Sequence, residues 1–82
     1  MRYRGVTYQS ERARYQVKIK HAGRHIHLGH FQRPDVAARV WDVAAVLLRG
    51  PGTPLNFDGQ PPKNISVGKI RQKLLDKGVL RP

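Results

Sequence analysis

The chain contains no cysteine, so neither a disulfide framework nor a thiolate zinc site can hold its fold together. Long apolar runs are also missing, because the longest, Val43 to Leu48, has six residues, whereas a membrane span needs about 20. No signal-peptide pattern opens the sequence. We therefore expect an intracellular protein with no membrane partner.

Acidic residues are scarce. Five Asp and Glu stand against 16 Lys and Arg, which gives a net charge of +11. Residues 1–33 hold eight Lys or Arg and one acid, residues 34–57 hold two of each, and residues 58–82 hold six and two. A cationic excess concentrated in two parts of a small chain favours nucleic acid or an anionic membrane as the partner.

The residue sets that carry catalysis are absent as well. The sequence has no paired carboxylates, no activated nucleophile and no phosphate-cradling glycine loop. Its 82 residues make one small domain, with no room for a deep substrate cleft. We expect a binding module that is not an enzyme and that uses no cofactor and no small-molecule substrate. Because the chain begins directly in a motif, we also expect it to be a piece of a longer protein.

Polar and apolar residues alternate along Tyr15–His21 and again along Arg24–Phe31, and only Ala22 and Gly23 separate these two runs. Alternation predicts two strands, and a two-residue link predicts a tight hairpin. If residue 21 pairs with residue 24, one face carries the pairs Ile19–Ile26 and Val17–Leu28, and the other carries Lys20–His25 and Lys18–His27. The cationic face without interspersed acids is interpreted as a binding surface, because a polyanion would relieve its internal repulsion.

Before this hairpin, Arg2–Tyr8 is predicted to form a first strand with a bulge at Gly5, which would turn Arg4 and Thr7 away from the core. The polar stretch Gln9–Arg14 is predicted to be the connecting loop.

After the hairpin, Pro34–Arg49 is predicted to be a helix that ends at Gly50, since Pro suits the first helical turn and Gly the stop. Its apolar stripe, which would pack on the sheet, is Ala37, Val40, Trp41, Ala44, Ala45 and Leu48.

Residues 51–54 are predicted to form a turn, residues 55–57 a short return segment, and residues 59–62 a Pro- and Gly-rich linker. A second helix is expected at about Val67 to Lys77, capped by Ser66 and ended by Gly78. The predicted organisation is a sheet-and-helix domain at 1–57 and a linker with a basic helix at 58–82. A protein contact through that helix is left open.

Several separate blocks give the chain a family resemblance: Tyr3-Arg4-Gly5-Val6, Leu28-Gly29, Ala37-Ala38-Arg39, Trp41-Asp42, Ala44-Ala45, Arg49-Gly50 and Leu55-Asn56-Phe57. In this order and spacing, residues 2–57 resemble the plant APETALA-two/ethylene-response-factor (ERF) DNA-binding domain. The resemblance implies an α+β fold in which a three-stranded antiparallel sheet packs on one helix. It also implies that the sheet enters the major groove of double-stranded DNA, as the DNA-binding domain of a nuclear transcription factor.

The expected DNA contacts combine this resemblance with the cationic face. They are Arg2, Arg4, Thr7, Gln9, Arg12, Arg14, Lys18, Lys20, His25 and His27. Of the family's usual base-reading set only Arg4 is unchanged, since Lys18 and Lys20 replace a Glu and an Arg, and His25 and His27 replace an Arg and a Trp. We therefore expect a target other than the GCC box.

Four histidines lie within ten residues, at positions 21, 25, 27 and 30. By alternation only His25 and His27 share a face, and no cysteine is available as a further ligand, so no metal site is expected. We expect DNA contacts instead, with affinity rising as the pH falls below about 6.5.

Two other functions remain open at this point. The same fold can serve an integrase or a homing endonuclease as its DNA-targeting module. A small RNA-binding domain also fits the high charge, although the predicted outer face offers no Phe or Trp on which bases could stack.

Overall fold

In a computed structural model of the chain, residues 3–50, 52–57 and 67–80 are described. The elements are β1 (Val6–Gln9), β2 (Arg14–His21), β3 (Arg24–Phe31), α1 (Pro34–Arg49) and α2 (Val67–Asp76). The strands form one antiparallel sheet in the order β1-β2-β3. The predicted α+β architecture is confirmed. Arg2, the cap at Ser66 and the linker at 59–62 lie outside the described residues.

The hairpin has the predicted register at its tip. His21 pairs with Arg24, Lys20 with His25, Ile19 with Ile26 and Lys18 with His27. Ala22 and Gly23 both have positive φ, at 52° and 77°, which is the turn geometry that suits the twist of two-residue hairpins.

Farther from the tip, the predicted pairing of Val17 with Leu28 is wrong. A β-bulge falls between Val17 and Lys18, and Val17 pairs with Gly29. Leu28 is therefore an extra residue on β3, and it remains buried. Gly29 has a φ of +130°, a backbone conformation that L side chains rarely adopt. The bulge reverses the alternation, so His30 follows Gln16 to one face and Phe31 follows Tyr15 to the other.

The first strand is shorter than predicted, and Gly5 is not a bulge within it. Gly5 has a φ of +75° and lies in a turn that precedes β1, where the Val6 N–H donates to the Tyr3 carbonyl at 3.3 Å. Only glycine fits at this position, because a Cβ on residue 5 would lie 1.9 Å from Trp41 Cδ1 and 2.6 Å from the Lys18 carbonyl oxygen. Gln9 and Arg14 belong to strands rather than to the predicted loop.

Helix α1 has the predicted bounds. Pro34 opens it, no side chain caps its N-terminus, and the Gly50 N–H donates to the Val46 carbonyl at its end. Its apolar side lies against one face of the sheet and fills the core with Val17, Ile19, Ile26 and Leu28 of the strands. The predicted stripe is buried except Leu48, which is half-buried at its edge.

Helix α2 packs on the same core. Ile70 and Leu74 are buried in one cluster with residues of α1 and of the sheet, so the described parts of the two predicted segments share a hydrophobic core. The helix ends at Asp76, one residue before its predicted end at Lys77. No helix among the described residues is long and apolar enough to cross a membrane.

Candidate nucleic-acid interface

The sheet has an outer face, turned away from α1. Because cross-strand partners point to the same side, the register places together Thr7, Gln9, Arg14, Gln16, Lys18, Lys20, His25, His27 and His30. Seven of the ten predicted contact residues lie on this face. Gln16 lies there as the alternation predicts, whereas His30 was not predicted to belong to this face.

Arg12 and Arg4 lie outside the strands. Arg12 is exposed in the turn between β1 and β2 and borders a concavity of about 530 Å³ that also touches Gln9, Gln16, His27 and His30. Arg4 is exposed beside the Gly5 turn, and its guanidinium Nη1 donates to the Leu55 carbonyl at 2.9 Å.

His30 is on the outer face because of the bulge, and the prediction that only His25 and His27 share a face is wrong. The rings of His27 and His30 lie 4.8 Å apart. The Gln9 amide donates to Gln16 Oε1 at 2.5 Å, and the Gln9 Oε1 atom lies 2.9 Å from His30 Nε2. Since that amide oxygen can only accept, the contact is a hydrogen bond when His30 Nε2 carries a proton.

The pKa of His27 is lowered from its ordinary value. Burial is the largest cause, because it disfavours the charged imidazolium. The positive charges of His30, Lys77, Lys18 and Lys73 lower the pKa further. His27 is therefore mostly neutral near pH 7 in the free protein.

Two lysines of the C-terminal segment reach this part of the sheet. The Lys73 ammonium donates to the Leu28 carbonyl at 2.9 Å, so it satisfies an acceptor at the bulge, and Lys77 acts on His27 electrostatically. Sequence reasoning assigned positive charge to this segment without placing it. The apolar residues at positions 70 and 74 were the signal for its docking.

The interface is supported by a clamp that sequence reasoning did not predict. The carboxylate of buried Asp42 accepts from the Asn56 N–H at 2.8 Å and from the Phe57 N–H at 2.9 Å. The Asn56 side chain in turn accepts from the Arg4 N–H at 2.6 Å and donates to the Arg4 carbonyl at 3.2 Å. The clamp therefore fixes the turn before β1 to α1.

Few acidic side chains counter the positive charge of the outer face. Among the described residues, Asp35 forms an ion pair with Arg33, Asp42 is buried in the clamp, and Asp76 accepts from Gln72. Glu11 borders the concavity. Within the described ranges, no group of three His, Cys, Asp or Glu residues is arranged to hold a metal ion.

The fold and this surface define a small α+β domain with a cationic sheet face. The chain is similar to APETALA2-like protein 2 of Oryza sativa subsp. indica, with 38% identity over 56 residues, 68% of this chain and 13% of that protein. It is 40% identical to AP2-like ethylene-responsive transcription factor TOE2 of Arabidopsis thaliana, over 67% of this chain and 11% of that protein. It is 42% identical to dehydration-responsive element-binding protein 1F of Oryza sativa subsp. indica, over 72% of this chain and 28% of that protein.

No protein-family model matches the chain. The matches to these relatives nevertheless cover about two thirds of it at 38–42% identity, and the observed fold is the one that their shared sequence blocks imply. The chain belongs to the APETALA-two/ethylene-response-factor family. It spans 11–13% of the length of the first relatives that it matches.

Proposed function

We propose that this chain is the DNA-binding domain of a transcription factor and that the outer face of its sheet binds double-stranded DNA in the major groove, with sequence specificity. One observation carries the proposal. Lys18 and Lys20 stand in register with His27 and His25, on a face where the described strands contribute no Asp or Glu.

The dimensions support the major groove as the binding site. Two strand spacings of about 4.8 Å make the sheet about 10 Å wide between its outer strands, and the major groove is about 12 Å wide. Lysine gives phosphates and guanine acceptors a positive partner, and histidine can donate to or accept from base edges. Helix α1 packs with its apolar side against the opposite face of the sheet.

The contact set of the proposal comprises the seven predicted residues on the outer face together with Arg4, Arg12 and Arg2. A nuclear location and the absence of enzymatic activity in the whole protein belong to the proposal too. A fluorescent fusion of the full-length protein tests the location, which is refuted if the fusion stays outside the nucleus.

Selection of bound sequences from a random duplex pool tests the function. We expect one enriched motif, other than the GCC box. On that motif, Lys18→Gln and Lys20→Gln should each weaken binding about fivefold or more, since a charge-assisted contact to a phosphate or to a base edge contributes about 1–3 kcal/mol.

The matched control is Arg71→Gln. Arg71 is exposed on α2, about 160° around the helix from Lys73 at 100° per residue. We expect Arg71→Gln to weaken binding less than about twofold, because it removes a charge from the side of the helix that points away from the proposed contact. A pool with no enriched motif, or equal losses in all three variants, would refute the proposal.

A further inference from the structure

Helix α2 brings two cations to the edge of the outer face. Lys73 reaches the bulge, where its ammonium lies 2.9 Å from the Leu28 carbonyl oxygen. Lys77 follows four residues later, about 6 Å farther along the helix direction. Both act on the imidazole of His27.

The position of these lysines is fixed by packing. Leu74 is fully buried and Ile70 is 7% exposed in the common core, so α2 cannot turn about its axis without exposing them. The Lys77 N–H donates to the Lys73 carbonyl at 3.1 Å, and the Val79 N–H donates to the Leu74 carbonyl at 3.2 Å. The backbone at the end of the helix is therefore fixed by hydrogen bonds, and Lys73 and Lys77 are held near β3.

The cations around His27 come from three elements. Lys18 is its partner on β2, His30 lies on its own strand, Lys73 belongs to α2, and Lys77 lies just past the end of α2. Arg12 and Glu11 of the β1–β2 turn line the concavity that His27 and His30 also border. Of the described carboxylates, Glu11 borders the concavity, and Asp76, next to Lys77 in the chain, accepts from the Gln72 side chain at 2.8 Å.

The group still has donors to offer. An ammonium has three N–H donors, and the Leu28 carbonyl uses one of those of Lys73. Lys77 is exposed, and no described residue forms an ion pair with its ammonium. Cations gathered with few acids repel one another, and a phosphate placed between them would replace that repulsion with charge-assisted hydrogen bonds.

We infer that Lys73 and Lys77 of the C-terminal segment, together with Lys18 and His27, form a site for a backbone phosphate of the DNA that the sheet binds. The inference rests on the proposed function. In this arrangement the sheet reads bases and α2 holds the strand beside it. The C-terminal segment is then a second DNA-contacting element, which contributes affinity without sequence preference.

Lys77→Gln tests the inference, since this exposed side chain forms no hydrogen bond or ion pair with a described residue. Fluorescence anisotropy on the selected duplex, at salt concentrations from 50 to 200 mM, gives the slope of log K against log salt for each protein. Loss of one phosphate contact makes this negative slope less steep by about 0.9. Over that fourfold range of salt, the wild type should lose about 3.5-fold more affinity than the variant.

Arg71→Gln is the control of equal charge and should keep the wild-type slope. Circular dichroism checks that both variants fold, and a repeat of the selection should give an unchanged motif for Lys77→Gln. Equal slopes for the two variants and the wild type would overturn the inference and leave the proposed function standing. A wild type without preference for any duplex sequence would overturn both.

Discussion

Replacement of Asp42 by alanine tests how the domain is held together behind its outer face. The change removes the carboxylate that accepts from the Asn56 and Phe57 N–H groups at 2.8 and 2.9 Å. A buried donor left without a partner costs about 1–3 kcal/mol. Since residues 56 and 57 are half-buried and water can reach part of the segment, we expect the lower part of the combined range, about 2–3 kcal/mol.

That loss is large for this chain. A domain of 82 residues has a free energy of unfolding of about 4–12 kcal/mol at 0.05–0.15 kcal/mol per residue. Each kcal/mol corresponds to about 4–8 °C in Tm for a domain of this size, so Asp42→Ala should lower the Tm by about 8–24 °C. Urea unfolding followed by circular dichroism measures the free energy directly.

Two further variants make the test specific. Asp42→Asn keeps one oxygen acceptor and should fall between the wild type and Asp42→Ala. Asp35→Ala removes an acid of the same helix whose exposed ion pair with Arg33 spans 2.8 Å, and it should cost no more than about 1 kcal/mol. If Asp42→Ala costs less than about 0.5 kcal/mol, or no more than Asp35→Ala, the clamp does not stabilise the domain as argued.

Three other outcomes are expected. Gly5→Ala should cost about 3 kcal/mol or more in urea unfolding, because its Cβ would lie 1.9 Å from Trp41 Cδ1. Gly78→Ala, at a similar φ of +73° and with no atom of the described residues within 4 Å of the added Cβ, should cost only the 1–2 kcal/mol of the left-handed backbone. Equal losses in the two variants would contradict this. Because the folded-state pKa of His27 is lowered, the unfolded chain binds more protons than the folded chain below about pH 6.5. The contribution of His27 to the free energy of unfolding should therefore fall as the pH drops through that value. His27→Gln should flatten the plot of the free energy of unfolding against pH. A DNA phosphate would raise the same pKa, so DNA affinity should rise as the pH falls below about 6.5; anisotropy titrations that give one affinity from pH 7.5 to 5.5 would refute a phosphate contact at His27.

The sequence around Gly29 contains a pattern that could have predicted the bulge on β3. Ile26 and Leu28 point to the core and His27 points away, and an unbroken alternation would then send Phe31 outward and His30 inward. A glycine at position 29, in front of a change in phase, indicates a bulge. The structure has that bulge, with Phe31 packed against the core and His30 on the outer face.

Other features left no local pattern in the sequence. Arg4 and Asn56 are 52 residues apart, and Lys73 and Leu28 are 45 apart. Nothing near Asp42 in the chain states that its carboxylate would serve two backbone N–H groups of residues 56 and 57. Such contacts exist only after the sheet and helices have packed.

The amino-acid sequence alone determined the hairpin tip, the bounds of α1, the net positive charge and the family, because these follow from side-chain alternation, turn and helix-end preferences, and short blocks of residues close together in the chain. Tertiary packing decided the reversed phase of β3, the clamp of Asp42 and Asn56, and the place of α2 beside the outer face. The physical reason is that each of these depends on buried area and hydrogen-bond partners supplied by distant parts of the chain, and a one-dimensional pattern does not encode which distant group will arrive.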